Sequence, residues 1–199
     1  MTGSGRRVPW AAPAYSGAVA LSGYATARLA PERRERVLRA HSTNVDNLRA
    51  GRWYTLVTSA FFVEEPLGPG FGAVLPLALG RAEAAWGVRR TAAVFALGHV
   101  GASLLVYAGL RAAGVSGRTA RAVDVGPSYG FNAVLAARAA SVPHPAARAA
   151  ATAGLLALGV RPLLRRGRTF TDAGHLAALV LGAGAATLRR RHRSHGHAQ

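Results

Sequence analysis

Two polar residues in otherwise apolar stretches could do chemistry together: Ser128 and His175. Ser128 lies within Gly126-Pro-Ser-Tyr-Gly130, which fits the G-x-S-x-G pattern of serine nucleophiles, and His175 follows Asp172-Ala-Gly. A serine hydroxyl becomes a nucleophile when a neighbouring base takes its proton, and neutral His is the usual base near pH 7. The pair therefore predicts acyl transfer through a Ser–His dyad, with backbone N–H groups at a helix start stabilising the oxyanion.

The uncharged stretches of the chain predict the helices that would carry this pair. Val8–Ala27 and Thr91–Leu110 each hold 20 uncharged residues, the length that crosses a bilayer core as a helix. Four weaker segments extend the pattern. We therefore predict an all-α polytopic membrane protein with six transmembrane helices, at about residues 8–28, 66–88, 91–110, 125–142, 146–164 and 173–188. These helices and an interfacial loop at 31–62 would form one domain, 1–188, followed by a basic tail, 189–199.

Helix direction explains how two distant residues could meet. Alternate spans run in the same direction, so the starts of the fourth and sixth spans lie at the same membrane face. Ser128 and His175 each lie near such a start and would sit at similar depth. No strand is predicted before Ser128, which disfavours the strand–turn–helix nucleophile of soluble hydrolases. Two alternatives remain for the helices: a signal peptide at 8–27, and a soluble Ala-rich bundle, disfavoured because 91–110 is uncharged.

Composition excludes several classes of protein. The 199 residues are 50% hydrophobic and 17% charged, with 25 basic residues, all Arg, 8 acidic residues and no Cys. A disulfide scaffold, a Cys zinc site and a Cys nucleophile are excluded. The net charge of +17 suits nucleic acid, but the Arg residues form short clusters between apolar blocks. We therefore predict a lipid bilayer and no nucleic acid as partner. High Ala, Arg and Gly usage favours a bacterial cell-membrane protein.

Four stretches occur in the same order as the motifs of one known family. They are Gly51–Thr58 (GRWYTLVT), Leu79–Gly87 (LGRAEAAWG), Gly126–Ser128 (GPS) and Gly174–Gly182 (GHLAALVLG). They resemble the first-loop, second-span, nucleophile and sixth-span motifs of the rhomboid family of intramembrane serine proteases. The resemblance implies a six-helix rhomboid fold and a Ser128–His175 dyad without metal or cofactor. It also implies hydrolysis of peptide bonds in or near transmembrane segments of membrane-protein substrates.

The sequence departs from that family around the oxyanion. Thr55 replaces an Arg of the first-loop motif, and Tyr129 replaces the Gly that follows the nucleophile. Counting back from Glu83, the second-span His and Asn of the family would fall near Leu67 and Phe71, which cannot donate hydrogen bonds. The residues proposed instead for oxyanion or site support are Gly126, Tyr129, Asn132 and His99. Two alternatives stay open: an inactive rhomboid-like protein that binds membrane helices, and a small-molecule transporter.

Other residues are predicted to have structural roles. Trp53 suits the head-group belt, and Glu83 is expected to pair with Arg81 or a loop donor. Gly174 and Gly182 belong to a small-residue stripe on the sixth span that permits close packing. Asp172 is expected to cap that span rather than complete a triad.

Helix capping is the competing explanation for Asp124 and Ser128, near the start of the fourth span. Ser128 or Asp124 could cap that span instead of serving the site. His99 is expected to bond a neighbouring helix, and the basic tail is expected to face lipid rather than hold a metal.

The Arg distribution bears on orientation. With the dyad near the outer face, as the resemblance implies, 10 Arg lie inside, 14 lie outside and Arg81 lies within the second span. The positive-inside rule mildly opposes this orientation. Half of the outer Arg residues lie between the first two spans, where an amphipathic interfacial helix is predicted.

Overall fold

The protein, analysed as a computed structural model, is described over residues 8–195, with side chains over 8–190. All regular elements in this range are helical. The helices are α1 (Ala11–Ala27), α2 (Pro31–His41), α3 (Val45–Arg49), α4 (Thr55–Thr58), α5 (Pro69–Trp86), α6 (Val88–Ala112), α7 (Gly117–Ala120), α8 (Ser128–Ala139), α9 (Pro145–Val160), continued by a 3-10 turn (Arg161–Leu164), and α10 (Phe170–His195).

Each of the six predicted spans corresponds to one helix, but α6 and α10 extend beyond their predicted spans and α8 is shorter than its span. Within the described residues, two segments are long and apolar enough to cross a membrane, Val88–Ala112 and Pro145–Leu164. Helix α8 has only 12 residues, or about 18 Å at 1.5 Å per residue, against a hydrocarbon core of about 30 Å. The all-α prediction is confirmed, and the number of membrane crossings stays a prediction.

Helix α8 lies at the centre of the fold. Eight of its 12 residues are buried, and they are mostly Ala and small or medium apolar residues. Its principal neighbours are α6 and α10. On another side, Phe131 and Val134 join Leu75 and Leu79 of α5 in the main apolar cluster. The short central helix is therefore surrounded by longer ones, which support its position.

Glycines allow this close packing. A Cβ added at Gly182 of α10 would lie 2.1 Å from the carbonyl oxygen of Ala133 in α8. A Cβ added at Gly98 of α6 would lie 2.1 Å from the Cβ of the same Ala133. A Cβ added at Gly130 of α8 would lie 2.5 Å from atoms of the Phe95 ring in α6. Small residues let helix backbones approach closely where lipid removes the hydrophobic drive to associate.

The remaining long helices pack around this centre. Helices α5 and α6 are joined by Gly87, whose φ of 81° makes the sharp reversal between them. Helix α9 is peripheral, because none of its residues is buried. It contacts α10 where Gly159 meets Leu176 and Leu179.

A buried carboxylate holds the start of α1. Glu83, in α5, is 3% exposed, and its oxygens accept the N–H groups of Trp10, Ala11 and Ala12 at 2.9, 3.1 and 2.7 Å. The first N–H groups of a helix have no partner within the helix, and a negative charge beside them also interacts favourably with the positive end of the helix dipole. Of the two expected partners, Arg81 or a loop donor, Arg81 is not the partner: main-chain donors at and just before the start of α1 occupy the carboxylate.

The segment between α1 and α5, called loop 1 here (residues 28–68), is largely ordered by main-chain contacts. The side-chain amide of Asn47 donates to the carbonyl oxygens of Arg39 and Ser42, at 2.7 and 2.8 Å. Trp53 is 54% exposed, as a head-group residue would be. At the other end of the chain, α10 continues to His195, so the first part of the predicted tail is helical.

We predict that Gly182→Ala destabilises the protein by about 1–3 kcal/mol, because the new methyl group would overlap the Ala133 carbonyl of α8. Gly184→Ala is the matched control, because Gly184 lies on the same helix with open space around it. That control should raise stability by about 0.5–1 kcal/mol, since Ala favours helix. Thermal unfolding in detergent compares the three proteins. Equal effects of the two substitutions would contradict the close packing described here.

We predict that Glu83→Gln lowers the free energy of unfolding by about 1.5–3 kcal/mol, because three main-chain donors lose a charged acceptor. The control is Glu32→Gln, an exposed carboxylate in α2. Hydrogen exchange at residues 10–12 should accelerate in the Glu83 variant alone. Unchanged exchange there would show that the carboxylate does not hold α1.

Candidate active site

The structure brings Ser128 and His175 into direct contact. The Ser128 Oγ and the His175 Nε2 are 2.9 Å apart, and both residues are partly buried. Ser128 is the first residue of α8 and His175 lies in the second turn of α10. The two helices run in the same direction from the same end of the fold. The separation lies within the range needed for proton transfer from the hydroxyl to the imidazole.

Capping does not account for the polar residues at the start of α8. Pro127 is the N-cap residue of α8, and the helix start has no side-chain cap. Within the described chain, the N–H groups of Ser128, Tyr129 and Gly130 make no hydrogen bond. Donors of this kind, at the positive end of a helix, suit a developing negative charge.

Tyr129 is the side chain that packs on the dyad histidine. It is 3% exposed, and its ring meets the His175 ring edge-on, with centroids 5.2 Å apart and planes at 76°. Its hydroxyl donates to the Asp124 Oδ2 at 3.3 Å. A Cβ at Gly174 would lie 2.3 Å from the Tyr129 oxygen, so Gly174 makes room for this side chain.

Gly126 shapes the entry into α8. Its φ of 131° is a backbone conformation that favours glycine, and its N–H donates to the Ser59 carbonyl oxygen at 2.8 Å. That hydrogen bond occupies its donor. Asn132, another predicted support residue, is partly buried and its side chain makes no hydrogen bond within the described residues.

His99 contacts loop 1 instead of the dyad. Its Nε2 lies 2.9 Å from the Ser59 Oγ, which lies 2.9 Å from the Thr43 Oγ1. Because Thr43 donates its proton to the Thr55 carbonyl oxygen, Ser59 donates to Thr43 and accepts from His99. His99 therefore carries its proton on Nε2. It fastens α6 to loop 1, which agrees with a structural bond.

Asp172 lies close to His175 in sequence but bonds elsewhere. Its Oδ2 accepts the Thr169 N–H at 2.7 Å and the Thr169 hydroxyl at 2.9 Å, while the Asp172 N–H faces the Thr169 hydroxyl at 3.4 Å. This is a capping box around the start of α10. The dyad thus has no carboxylate partner of the triad kind within the described residues. Across the same range, no group of three His, Asp or Glu is placed to hold a metal ion.

The loop that precedes α8 is a feature that sequence reasoning missed. Asp124 is predicted above as a possible cap of the fourth span, yet Pro127 is the N-cap residue of α8, and the Asp124 N–H donates to the Ser42 Oγ at 2.7 Å. Its carbonyl oxygen accepts the Thr43 N–H at 3.1 Å. The sequence did offer one indication of a role for Asp124, since it is an acidic residue four positions before a candidate nucleophile. Nothing in the sequence indicated its partners in loop 1, Ser42 and Thr43, because they are about 80 positions away.

Comparison with protein families decides the relationship. A family model described as rhomboid-like protein matches residues 11–195, nearly the whole chain. The chain belongs to the rhomboid-like family. Comparisons with curated proteins and with solved structures gave no match. The family match confirms the resemblance that the sequence motifs indicated. Proteins of the rhomboid family are integral to membranes.

The rhomboid-like motifs now have positions in the fold. The second-span motif ends at the Gly87 reversal and contains the carboxylate that holds α1. The sixth-span glycines face α8. Phe71, one of the two positions where family donors would fall, packs edge-on against Phe131 with centroids 5.2 Å apart. Any donor to an oxyanion from this chain must therefore come from elsewhere.

The pKa of Asp124 is raised to about 7, chiefly by burial, while the hydrogen bond from Tyr129 lowers it and the charge of Glu64 adds to the rise. In the unfolded chain, the Asp124 carboxyl ionises near pH 4. The contribution of Asp124 to the free energy of unfolding is therefore fully present below that pH and is lost as the pH rises to about 7. We predict that the melting temperature of the wild type in detergent falls by several degrees, relative to Asp124→Asn, between pH 5 and pH 7.5. Parallel melting curves for the two proteins would contradict the raised pKa.

Proposed function

We propose that this rhomboid-like protein is an intramembrane serine endopeptidase that hydrolyses peptide bonds in or near transmembrane segments. The observation that carries the proposal is the 2.9 Å contact between the Ser128 Oγ and the His175 Nε2. Two residues 47 positions apart, on different helices, meet in the geometry of a nucleophile and its base. The family membership supports the substrate class, since rhomboid-like proteins reside in membranes.

The proposal includes six membrane crossings, by α1, α5, α6, α8, α9 with its 3-10 turn, and α10. Helix α8 is too short to cross alone, so its start lies below the membrane surface and the 121–127 loop dips toward it. Loop 1 covers this end of the fold and would lie at the head-group level. This arrangement places the dyad beneath the surface yet partly exposed, which water needs in order to reach it.

The chemistry follows from the contacts. His175 takes the Ser128 proton as the oxygen attacks the substrate carbonyl carbon, and the carbonyl oxygen becomes an oxyanion. The open N–H groups of Ser128, Tyr129 and Gly130 at the start of α8 stabilise that charge. His175 then returns the proton to the leaving amine, and the peptide C–N bond breaks. Water, deprotonated by His175, hydrolyses the acyl-enzyme and restores Ser128.

The substrate must expose a carbonyl to this site. A transmembrane helix holds its carbonyl oxygens in internal hydrogen bonds, so attack requires a locally unwound segment. Gly or Pro in the substrate helix would favour such unwinding. We therefore propose membrane proteins with weakly helical transmembrane segments as substrates, with the dyad side of the bilayer as the side of cleavage.

A second function, binding membrane helices without cleavage, is favoured by one observation. Leu67 and Phe71 occupy the positions at which family members supply oxyanion donors, and both are apolar and partly buried. Without side-chain donors, only main-chain N–H groups support the oxyanion. Loss of a single oxyanion donor costs about 10²–10³ in kcat in other serine proteases.

Expression beside a membrane reporter with a cleavable transmembrane segment tests the proposal. Wild type should cleave, while Ser128→Ala and His175→Ala at matched protein levels should lose cleavage by at least about 10³-fold, because a dyad works as a unit. Ser141→Ala is the matched control, since Ser141 bonds only a carbonyl at the end of α8. Cleavage that survives Ser128→Ala would reject the nucleophile. No cleavage of any of several reporters would favour the helix-binding function.

A further inference from the structure

The loop that precedes the nucleophile, residues 121–127, is fastened to loop 1 through its main chain. Both the N–H and the carbonyl of Asp124 are bonded, to the Ser42 hydroxyl and the Thr43 N–H, at 2.7 and 3.1 Å. Two residues later, the Gly126 N–H binds the Ser59 carbonyl oxygen at 2.8 Å. Three main-chain bonds over three residues fix where the Asp124 carboxylate can lie.

That carboxylate is the start of a short line of contacts to the dyad. Its Oδ2 accepts the Tyr129 hydroxyl at 3.3 Å. The Tyr129 ring contacts the His175 ring edge-on, and the His175 Nε2 faces the Ser128 Oγ at 2.9 Å. Gly174 closes the other side of the Tyr129 hydroxyl, because a Cβ there would overlap it. The position of the Tyr129 ring is therefore determined by Asp124 on one side and by the α10 backbone at Gly174 on the other.

We propose that Asp124 is a positioning residue for the dyad: its carboxylate holds Tyr129, whose ring sets the orientation of the His175 imidazole toward Ser128. The inference rests on the proposed protease function. Asp124 touches neither the substrate nor the dyad, and it acts through Tyr129. It also connects loop 1 to the dyad, so loop 1 contributes to the arrangement of the site.

The protonation state of Asp124 should alter its hold on Tyr129. An ionised carboxylate only accepts hydrogen bonds and binds a hydroxyl more strongly than the neutral acid does. The acidic groups whose charges act on the pair are Glu64, on Asp124, and Asp172, on Tyr129, and the rings of His99 and His175 also face Tyr129. Arg39 pairs with Glu35 and donates to the Arg121 carbonyl oxygen, while the Arg121 side chain pairs with Asp46. The dyad should therefore be best ordered when Asp124 is ionised.

The test uses the purified full-length chain and a fluorogenic substrate containing a transmembrane segment. Asp124→Asn and Tyr129→Phe should each lower kcat by roughly tenfold and leave KM within about twofold, because misorientation affects the chemical step. The double variant should resemble the single ones, since both break one line of contacts. Glu32→Gln, an exposed acid in α2 of loop 1, should retain wild-type kcat. Tyr129→Leu should lose more activity than Tyr129→Phe, because it also removes the ring.

The pH profile separates positioning from a structural role. As the pH falls, wild-type kcat should fall with a slope that reports two protonations, of His175 and Asp124, whereas Asp124→Asn should show the slope of one. The labelling rate of Ser128 by a fluorophosphonate should follow the same order, measured at a temperature at which every variant is fully folded. Wild-type kcat and wild-type slope in Asp124→Asn would overturn this inference and leave the protease function standing. A wild type that neither cleaves nor labels would overturn both.

Discussion

The separation between α8 and its neighbours α6 and α10 is the constraint on which the site depends. Ser128 and His175 lie on two different helices, so their 2.9 Å contact persists only while the helix backbones remain close. Gly98, Gly130 and Gly182 permit that approach by having no side chain where an atom would overlap the neighbour. In lipid, such packing supplies much of the attraction between helices. The same residues that assemble the core therefore define the geometry of the dyad.

The site end of the fold leaves polar groups incompletely satisfied, in contrast to the opposite end. At the start of α1, all three main-chain donors reach Glu83. At the start of α8, the donors are open and no side chain caps them. Open N–H donors lower the stability of a helix start, and features that reduce stability in this way are common at functional sites. The two helix starts therefore differ: the donors of α1 are occupied, and the donors beside Ser128 are open.

The sequence predicted the parts of this fold that depend on regular patterns. Apolar stretches located the long helices, and the parity of helix direction predicted that Ser128 and His175 share one end. The small-residue spacing in α10 predicted a closely packed face, and the structure shows that this face lies against α8. The sequence could not indicate hydrogen-bond partners that lie in irregular segments or far away along the chain. The Glu83 acceptor faces residues more than 70 positions away, and His99 bonds Ser59 in loop 1. The shortness of α8 was also hidden, because apolar loop residues flank it.

The carboxylate that holds α1 has a consequence for how the chain is made. Trp10 leaves the ribosome 73 residues before Glu83 does, so α1 is synthesised long before its acceptor exists. Unpaired N–H groups are costly in hydrocarbon, by several kcal/mol each. Until α5 packs beside α1, the N–H groups of residues 10–12 must therefore find other partners. Assembly of the first helix is completed by the arrival of the second long one, and the two form a single unit of biogenesis.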